Sequence, residues 1–473
     1  MESSYSVQPA QKYDYATWRL KTMSKYDAAI IGGGFAGLSA AVKLSSHNFR
    51  VVVLESRPKL GGRATSYTDH FTNDEVDNGQ HVMFGCYRET LRFLRTIGAD
   101  KDVHIQDRLR VSYVDENSRP ICFACPDLSA PLHLIGGVLE WKELSFSEKL
   151  SALRMVGPLR RLRRRKNNDF PADIVTEDET VHDWLIRCGQ ARRLRELLWE
   201  PLALAALNQS ARVAAAKPFA RVLGELCGSQ VTDSAIVLPN RPLESLYAIP
   251  ARRFIETHGG AVWTRAAGRV ALVDGRLVGV EARNQLLDAP VVIVAVPWFA
   301  LSRVINPAPP SLVATVERAE AMDSAAIVSV HLWFKSPVTT EPFLGLLGKK
   351  IQWLFANQSS TRSSGARVTL VSSAAESLVG LPDAAIIDLV LSDLRLTIPA
   401  VGRIELVHGM VIRERQATFS LAPGQPQRPD SQTGISGLFL AGDWIETGLP
   451  GTIESAVASG HNAANLAFEQ FHQ

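Results

Sequence analysis

Residues 26–37 read YDAAIIGGGFAG, and this stretch decides the fold. Tyr26 to Ile31 form a short apolar run that predicts a buried strand. It passes directly into a GxGxxG turn at Gly32, Gly34 and Gly37, and then into the helical stretch LSAAVKLSSHN. The spacing has a mechanical reason: Gly32 permits the tight turn, Gly34 lets a pyrophosphate approach the backbone, and Gly37 allows close packing of helix on strand. Phe35 and Ala36 complete the turn, so that the free amides of the new helix face an anion. A second apolar strand, RVVVLE, ends at Glu55, eighteen residues after Gly37, where a carboxylate can accept hydrogen bonds from ribose hydroxyls. Strand, glycine turn, helix, strand and acid together predict a dinucleotide-binding α/β domain.

Composition bounds the rest. A chain of 473 residues with 46% hydrophobic content accommodates two or three domains at about 100–200 residues each. Charge is nearly balanced, 51 Lys plus Arg against 48 Asp plus Glu, so the net charge of +3 offers no argument for a nucleic-acid partner. The five cysteines all fall between Cys86 and Cys227 and suit a reducing cytosol better than a disulfide scaffold. Cys122 and Cys125 form the sole CxxC; without a second pair or nearby His spacing they read as two unrelated thiols, and no metal site is expected. No stretch is long and apolar enough for a membrane span, and the start lacks the order of a signal peptide, which predicts a cytoplasmic protein. Residues 1–23 are polar and aperiodic and are expected to be a disordered leader, with Met23 as an alternative start.

Two further elements define the cofactor. Glu55 leads into SRPKLGGRATS, a loop carrying Gly61, Gly62 and Arg63, and near the end of the chain comes GISGLFLAGDWIETGLPGTIESAVASG, a strand, a turn at Gly442 and Asp443, and a helix from about Thr452. These runs resemble the nucleotide motifs of flavin-containing amine oxidases and carotenoid desaturases. The resemblance implies non-covalent FAD, since the cysteine that carries a thioether in some amine oxidases lies late in the chain and none exists here beyond Cys227. It implies that Gly61, Gly62 and Arg63 line the pyrophosphate, an arginine fork meeting phosphate oxygens. It places Asp443 on the ribityl chain, with a plain helix cap as the alternative, and Thr452 and Ile453 at the flavin pyrimidine edge. Glu454 is either a partner of the helix dipole or a buried acid. The stretch GRVALVDGRLVGVEA predicts a hairpin around Asp274-Gly275, and the resemblance puts the Val270 backbone on the adenine.

The implied architecture is a discontinuous Rossmann-like FAD-binding domain (24–100, 247–300 and 405–473) and a mixed-sheet and helical substrate domain (101–246 and 301–404). The run DNGQH at residues 77–81, with QWLFAN, VTLVSSAA and GDWIETGLPGTIESAVASG, narrows the resemblance to hydroxysqualene dehydroxylases, also called squalene-associated FAD-dependent desaturases. That implies reductive removal of an allylic hydroxyl from a polyprenoid lipid on the route to hopanoids, with a separate electron donor because no nicotinamide site is evident. His81 is the candidate acid for the departing hydroxyl and Asp77 the group that would raise its pKa; alternatively the two only hold the loop. Gln80, Phe84, Trp298, Trp353 and Phe355 are candidate substrate contacts, with core packing as the rival for the aromatics. The basic run Arg160, Arg161, Arg163, Arg164, Arg165 and Lys166 follows a partly apolar segment and is a candidate for peripheral docking on the inner face of the cell membrane, or else a solvated helix face. The rival functions are a carotenoid or phytoene-type desaturase, an amine oxidase, for which no aromatic pair is evident near RERQATF (413–419), and a non-catalytic lipid carrier.

Overall fold

The computed structural model describes residues 26–163, 174–357 and 366–471. The expected leader and residues 164–166 of the basic run lie outside the described residues.

Two sheets organise the chain. The first is parallel, with strands in the order Ala261–Trp263, Val51–Leu54, Ala28–Ile31, Val291–Val294 and Leu438–Leu440. AAII, VVVL and VVIV are buried along their whole length, as required of strands covered on both faces. The helix Phe35–Ser45 covers one face, and the helix Ile453–Phe471 packs on it. Gly460 makes that approach: a Cβ there would stand 2.2 Å from the Ala36 carbonyl oxygen. The sheet thus collects strands from three separate stretches of sequence.

Beside it, the expected hairpin turns at Asp274 and Gly275, both with positive φ, and Arg269–Val273 pairs with Arg276–Ala282.

The second sheet has seven strands in the order Leu406–Phe419, Ser324–Phe334, Ala366–Ser373, Trp353–Asn357, Phe343–Leu346, Arg110–Val114 and Pro120–Ala124. Neighbours are antiparallel except Phe343–Leu346 with Arg110–Val114, so the sheet is mixed. Its first strand corrects a boundary. A division at 405 assigns Leu406–Phe419 to the nucleotide domain, yet this strand pairs with Ser324–Phe334 from Ser324 opposite Phe419 to Phe334 opposite Leu406. A ladder of that length, interrupted by register shifts only after Ala325 and after Trp333, binds it to the second sheet, and the chain returns to the parallel sheet only at Leu438.

Short helices, among them Leu132–Glu140, Phe146–Leu153, Val156–Arg163 and Ala216–Leu226, cover the far side of the space between the sheets.

Candidate functional site

One cavity of about 1240 Å³ runs from the glycine turn, across the junction of the two sheets, to these helices. That exceeds the ~300–1,000 Å³ usual for a small-molecule site.

At its nucleotide end the structure joins what the sequence offered as separate motifs. Gly32, Gly34, Phe35, Ala36, Glu55, Gly61, Gly62, Arg63, Gly442, Asp443, Thr452 and Ile453 all line the cavity. Gly37 stands behind it in a packing role, since a Cβ there would meet the Gly32 carbonyl oxygen at 1.9 Å. The Glu55 carboxylate is fixed by backbone amides, with Gly33 N–H and Arg57 N–H each donating at 2.8 Å. The helix Phe35–Ser45 begins without a side-chain cap and without an acid in its first turn, which leaves its N-terminal amides to an external anion. Gly62, at φ +62°, faces Gly34, and a Cβ on it would lie 3.2 Å from the Gly34 Cα. The two loops touch here, joined by the Gly61 N–H to the Gly33 carbonyl at 2.9 Å, and a side chain at Gly62 would force them apart, so the glycines bring both loops to one rim of the cavity, where their backbones can face a dinucleotide.

Arg63 and Asp443 pair with each other through two hydrogen bonds, and Arg63 Nη1 also donates to the Ala417 carbonyl at 3.0 Å. The guanidinium lies 5.1 Å over the Trp298 ring. Trp298 is therefore corrected from substrate contact to core: it is buried, absent from the cavity wall, and edge-on to Phe299 and Phe419, while Phe299 takes the lining position. Val270 is corrected as well. The lining stretch is Ala267, Gly268 and Arg269, and Val270 is already within the hairpin ladder opposite Val280.

Tyr247 was not legible as a site residue. Its buried hydroxyl donates to the carbonyls of Gly61 (2.8 Å) and Ala64 (2.9 Å), and its ring stacks on Phe35 at 3.6 Å, so it holds the Gly61–Arg63 loop against the first helix. ESLYA carries no periodic or motif signal for that task.

The DNGQH run spans the junction. Asn78 Nδ2 donates to the Arg63 carbonyl at 2.6 Å and to Glu414 Oε1 at 3.2 Å, tying the second sheet to the Gly61–Arg63 loop. Gln80 and His81 line the cavity, with Glu414 facing the same space. Asp77 does not line it. Its Oδ1 accepts from Ser66 Oγ at 2.6 Å and from the Leu243 amide at 2.9 Å, so it anchors the loop from behind. The His81 Nδ1–H donates to the Gly79 carbonyl at 2.9 Å, which leaves Nε2 as an acceptor in the neutral ring. Burial lowers the His81 pKa and outweighs the opposing charges of Asp77 and Glu414. The expected elevation by Asp77 is thus reversed, because desolvation of the imidazolium dominates. Burial also pushes the Asp77 pKa up, against the hydrogen bonds from Ser66 and Leu243 that lower it.

Beyond this polar cap the wall is largely apolar, with Asn208, Ser234 and Ser373 as scattered polar members and Lys149 and Arg160 at its outer end. Trp353 and Phe355 lie two residues apart on one strand and present the same face, joined there by Phe343 and Tyr113 at ring separations of 5.9–6.4 Å. Phe84 also lines the cavity, edge-on to Tyr87.

Glu454 proves to be a buried acid that caps a different helix. It accepts the Glu89 and Thr90 amides at 2.9 Å each and the Thr90 hydroxyl at 2.7 Å, at the start of Arg88–Thr96. Burial raises its pKa despite these bonds. Cys122 is exposed and Cys125 buried, and no group of three or more metal-ligating side chains occurs among the described residues.

Comparison with known proteins agrees with this geometry. The chain is 28% identical over 447 residues to a hydroxysqualene dehydroxylase of Zymomonas mobilis, covering 93% of this chain and 98% of that protein. It is 25% identical over 491 residues to a zeta-carotene desaturase of Arabidopsis thaliana, covering 93% and 85%. Among solved structures, cyclohexylamine oxidase from Brevibacterium oxydans superposes with a TM-score of 0.70 at 14% identity, over 95% of this chain and all of that one, which establishes the shared fold. A sequence model of the flavin containing amine oxidoreductases matches residues 35–467. With its two glycine loops meeting across a cleft closed by Asp443 and the last helix, the chain belongs to the flavin containing amine oxidoreductases.

Proposed function

We propose that this chain binds FAD non-covalently and reductively removes the allylic hydroxyl of hydroxysqualene, giving squalene and water. The observation that carries the reading is the continuity of the cavity described above. It joins a dinucleotide cleft to a largely apolar, aromatic-walled chamber, with Asn78–His81 and Glu414 forming a polar patch beside the nucleotide end. A hydrocarbon with one hydroxyl matches that distribution; a charged amine does not. The similarity to hydroxysqualene dehydroxylases along nearly the whole chain supports the same substrate.

In this reading the pyrophosphate lies between the Phe35–Ser45 N-terminus and the Gly61–Arg63 loop, Glu55 takes the adenosine ribose, and Asp443, Thr452 and Ile453 take the flavin end. No cysteine falls in either glycine loop or in Gly442–Ile453, which favours non-covalent binding. FAD, when bound and reduced, supplies hydride chemistry. The net conversion takes two electrons and two protons: the C–O bond breaks, a C–H bond forms, and the oxygen leaves as water. A separate donor restores the electrons.

The chain's own residues position the alcohol and manage its proton. Neutral His81 accepts the substrate hydroxyl at Nε2 and orients the C–O bond. Glu414 is the carboxyl assigned to protonating the departing oxygen. Of the other carboxylates on the cavity wall, Glu55 is occupied by backbone amides and Asp443 by Arg63. The apolar wall excludes water from the cation that departure creates, and the Trp353 and Phe355 faces stabilise it.

The test is an anaerobic single turnover. The purified protein is photoreduced, hydroxysqualene is added in detergent, and the flavin band near about 450 nm is followed while the lipid is extracted. Return of the oxidised band with stoichiometric squalene is the expected result. A band that stays bleached would overturn the reading in favour of a desaturase, to be tried with phytoene and oxidised protein.

A further inference from the structure

The cavity opens on a surface built inside out. Surface helices ordinarily turn their apolar stripe inward. In Phe146–Leu153 the residues Phe146, Leu150 and Leu153, spaced i, i+4 and i+7, form a stripe that faces solvent; Phe146 is 78% exposed and Leu150 46%. In Leu132–Glu140, which packs beside it, Leu132 (53%) and Leu139 (45%) do the same, and Leu128 is exposed just before it. Leu132, Leu139, Leu153 and Val156 are each exposed and also part of the cavity wall, which marks them as the rim of its mouth. Phe146, Leu150 and Leu128 touch no part of the cavity and form an apolar apron outside the rim.

The surrounding charge is cationic. Lys149 and Arg160 stand at the rim, and Arg154 is exposed on the turn between the last two helices. Of the nearby acids, Asp127 pairs with Arg108 and Glu143 with Arg193, Glu148 is turned back onto its own helix by Ser145, and exposed Glu140 has exposed Lys142 two residues on. An apolar apron of this kind with a basic border matches the interface of an anionic bilayer, where apolar side chains enter the acyl boundary and cations meet headgroups.

We infer that the helices Leu132–Glu140, Phe146–Leu153 and Val156–Arg163 seat the chain on an anionic lipid surface with the cavity mouth against the acyl layer, so that a polyprenoid passes from bilayer to site without crossing water. The purpose rests on the lipid-substrate reading above; the position rests on exposure and cavity geometry alone. It shifts the docking surface expected from the basic run onto the apolar stripe preceding it.

The experiment is flotation of the full-length flavoprotein with phosphatidylcholine vesicles with and without one-third phosphatidylglycerol, for the wild type and for a Leu128→Ser/Phe146→Ser/Leu150→Ser variant. The wild type is expected to float with the anionic vesicles. The variant is expected to float at least tenfold less while keeping its flavin band and its turnover of detergent-dispersed substrate within twofold. Flotation of the variant equal to wild type, or a wild type that floats with neither vesicle, would overturn the inference. So would a wild-type dimer in sedimentation that the variant converts to monomer without any vesicle binding, which would make the patch a contact between copies of the chain. Vesicle binding needs no turnover, so flotation with no squalene formed would sink the substrate reading and leave the surface standing.

Discussion

Arg63 and Asp443, 380 residues apart in sequence, form a two-point ion pair between the Gly61–Arg63 loop and the turn after the last strand of the parallel sheet. Both are largely shielded, with side-chain exposures of 22% and 7%, and the guanidinium rests on Trp298. The pair closes the nucleotide cleft by joining the second of its motifs to the last. Removing one partner leaves the other charge buried, at a cost of about 3–5 kcal/mol. Asp443→Ala is therefore expected to lower the melting temperature markedly and to weaken flavin binding more than tenfold, checked by thermal melts and fluorescence titration. Arg63→Lys retains charge but loses the two-point geometry and should fall between the two.

Gly37→Ala is expected to yield protein without flavin. The new Cβ would meet the Gly32 carbonyl oxygen at 1.9 Å, a backbone atom of the turn itself. Relief requires the helix to move off the strand, which displaces the anion-facing amides. Overpacking of this kind costs about 1–3 kcal/mol. An absorbance ratio of flavin to protein near wild type would contradict this.

His81 and Glu414 separate by their effects on turnover. Glu414→Gln, which keeps an acceptor for Asn78 but holds no transferable proton, is expected to slow single-turnover squalene formation by about 10²-fold or more, the usual scale for general acid catalysis. His81→Gln leaves a hydrogen-bonding group at the polar patch and should cost only a few-fold. Equal losses of about 10²-fold in both would return the acid role to His81.

Stability should decline as pH falls below about 6.5, the ordinary histidine value. Burial and the nearby Arg367 charge lower the His331 pKa to about 3, and burial lowers that of His81. Between the folded and unfolded values the unfolded chain binds the extra protons, so stability is fully present above the unfolded pKa and is lost as pH falls through this window. Denaturant midpoints at pH 8 and pH 5 should differ in that sense. His331→Gln, which can still pair with Thr369 in place of the 3.0 Å bond from Nδ1, should flatten the dependence.

The nucleotide half of the fold was legible because its information is local. A strand, a glycine turn and a helix N-terminus are consecutive in sequence, and the turn works through backbone, so Gly32, Gly34 and Gly37 announce their roles by spacing alone. The aromatics could not be sorted in the same way. Trp353 and Phe355 face the cavity and Trp298 the core, a distinction set by which face of a strand or turn meets the gap between two sheets.

The sequence by itself determined the strand, glycine turn and helix that open the parallel sheet and, through the resemblance of its nucleotide motifs, the flavin class of the cofactor, since each motif is a run of residues adjacent in the chain. Only the tertiary structure decided that Arg63 meets Asp443, that Tyr247 props the glycine loop, and that Asp77 stands behind His81 without reaching the cavity. It also decided that Leu406–Phe419 joins the second sheet, and that Phe146 and Leu150 face outward at the mouth. These depend on pairings between distant segments and on what burial leaves uncovered. Periodicity along one segment carries no information about either.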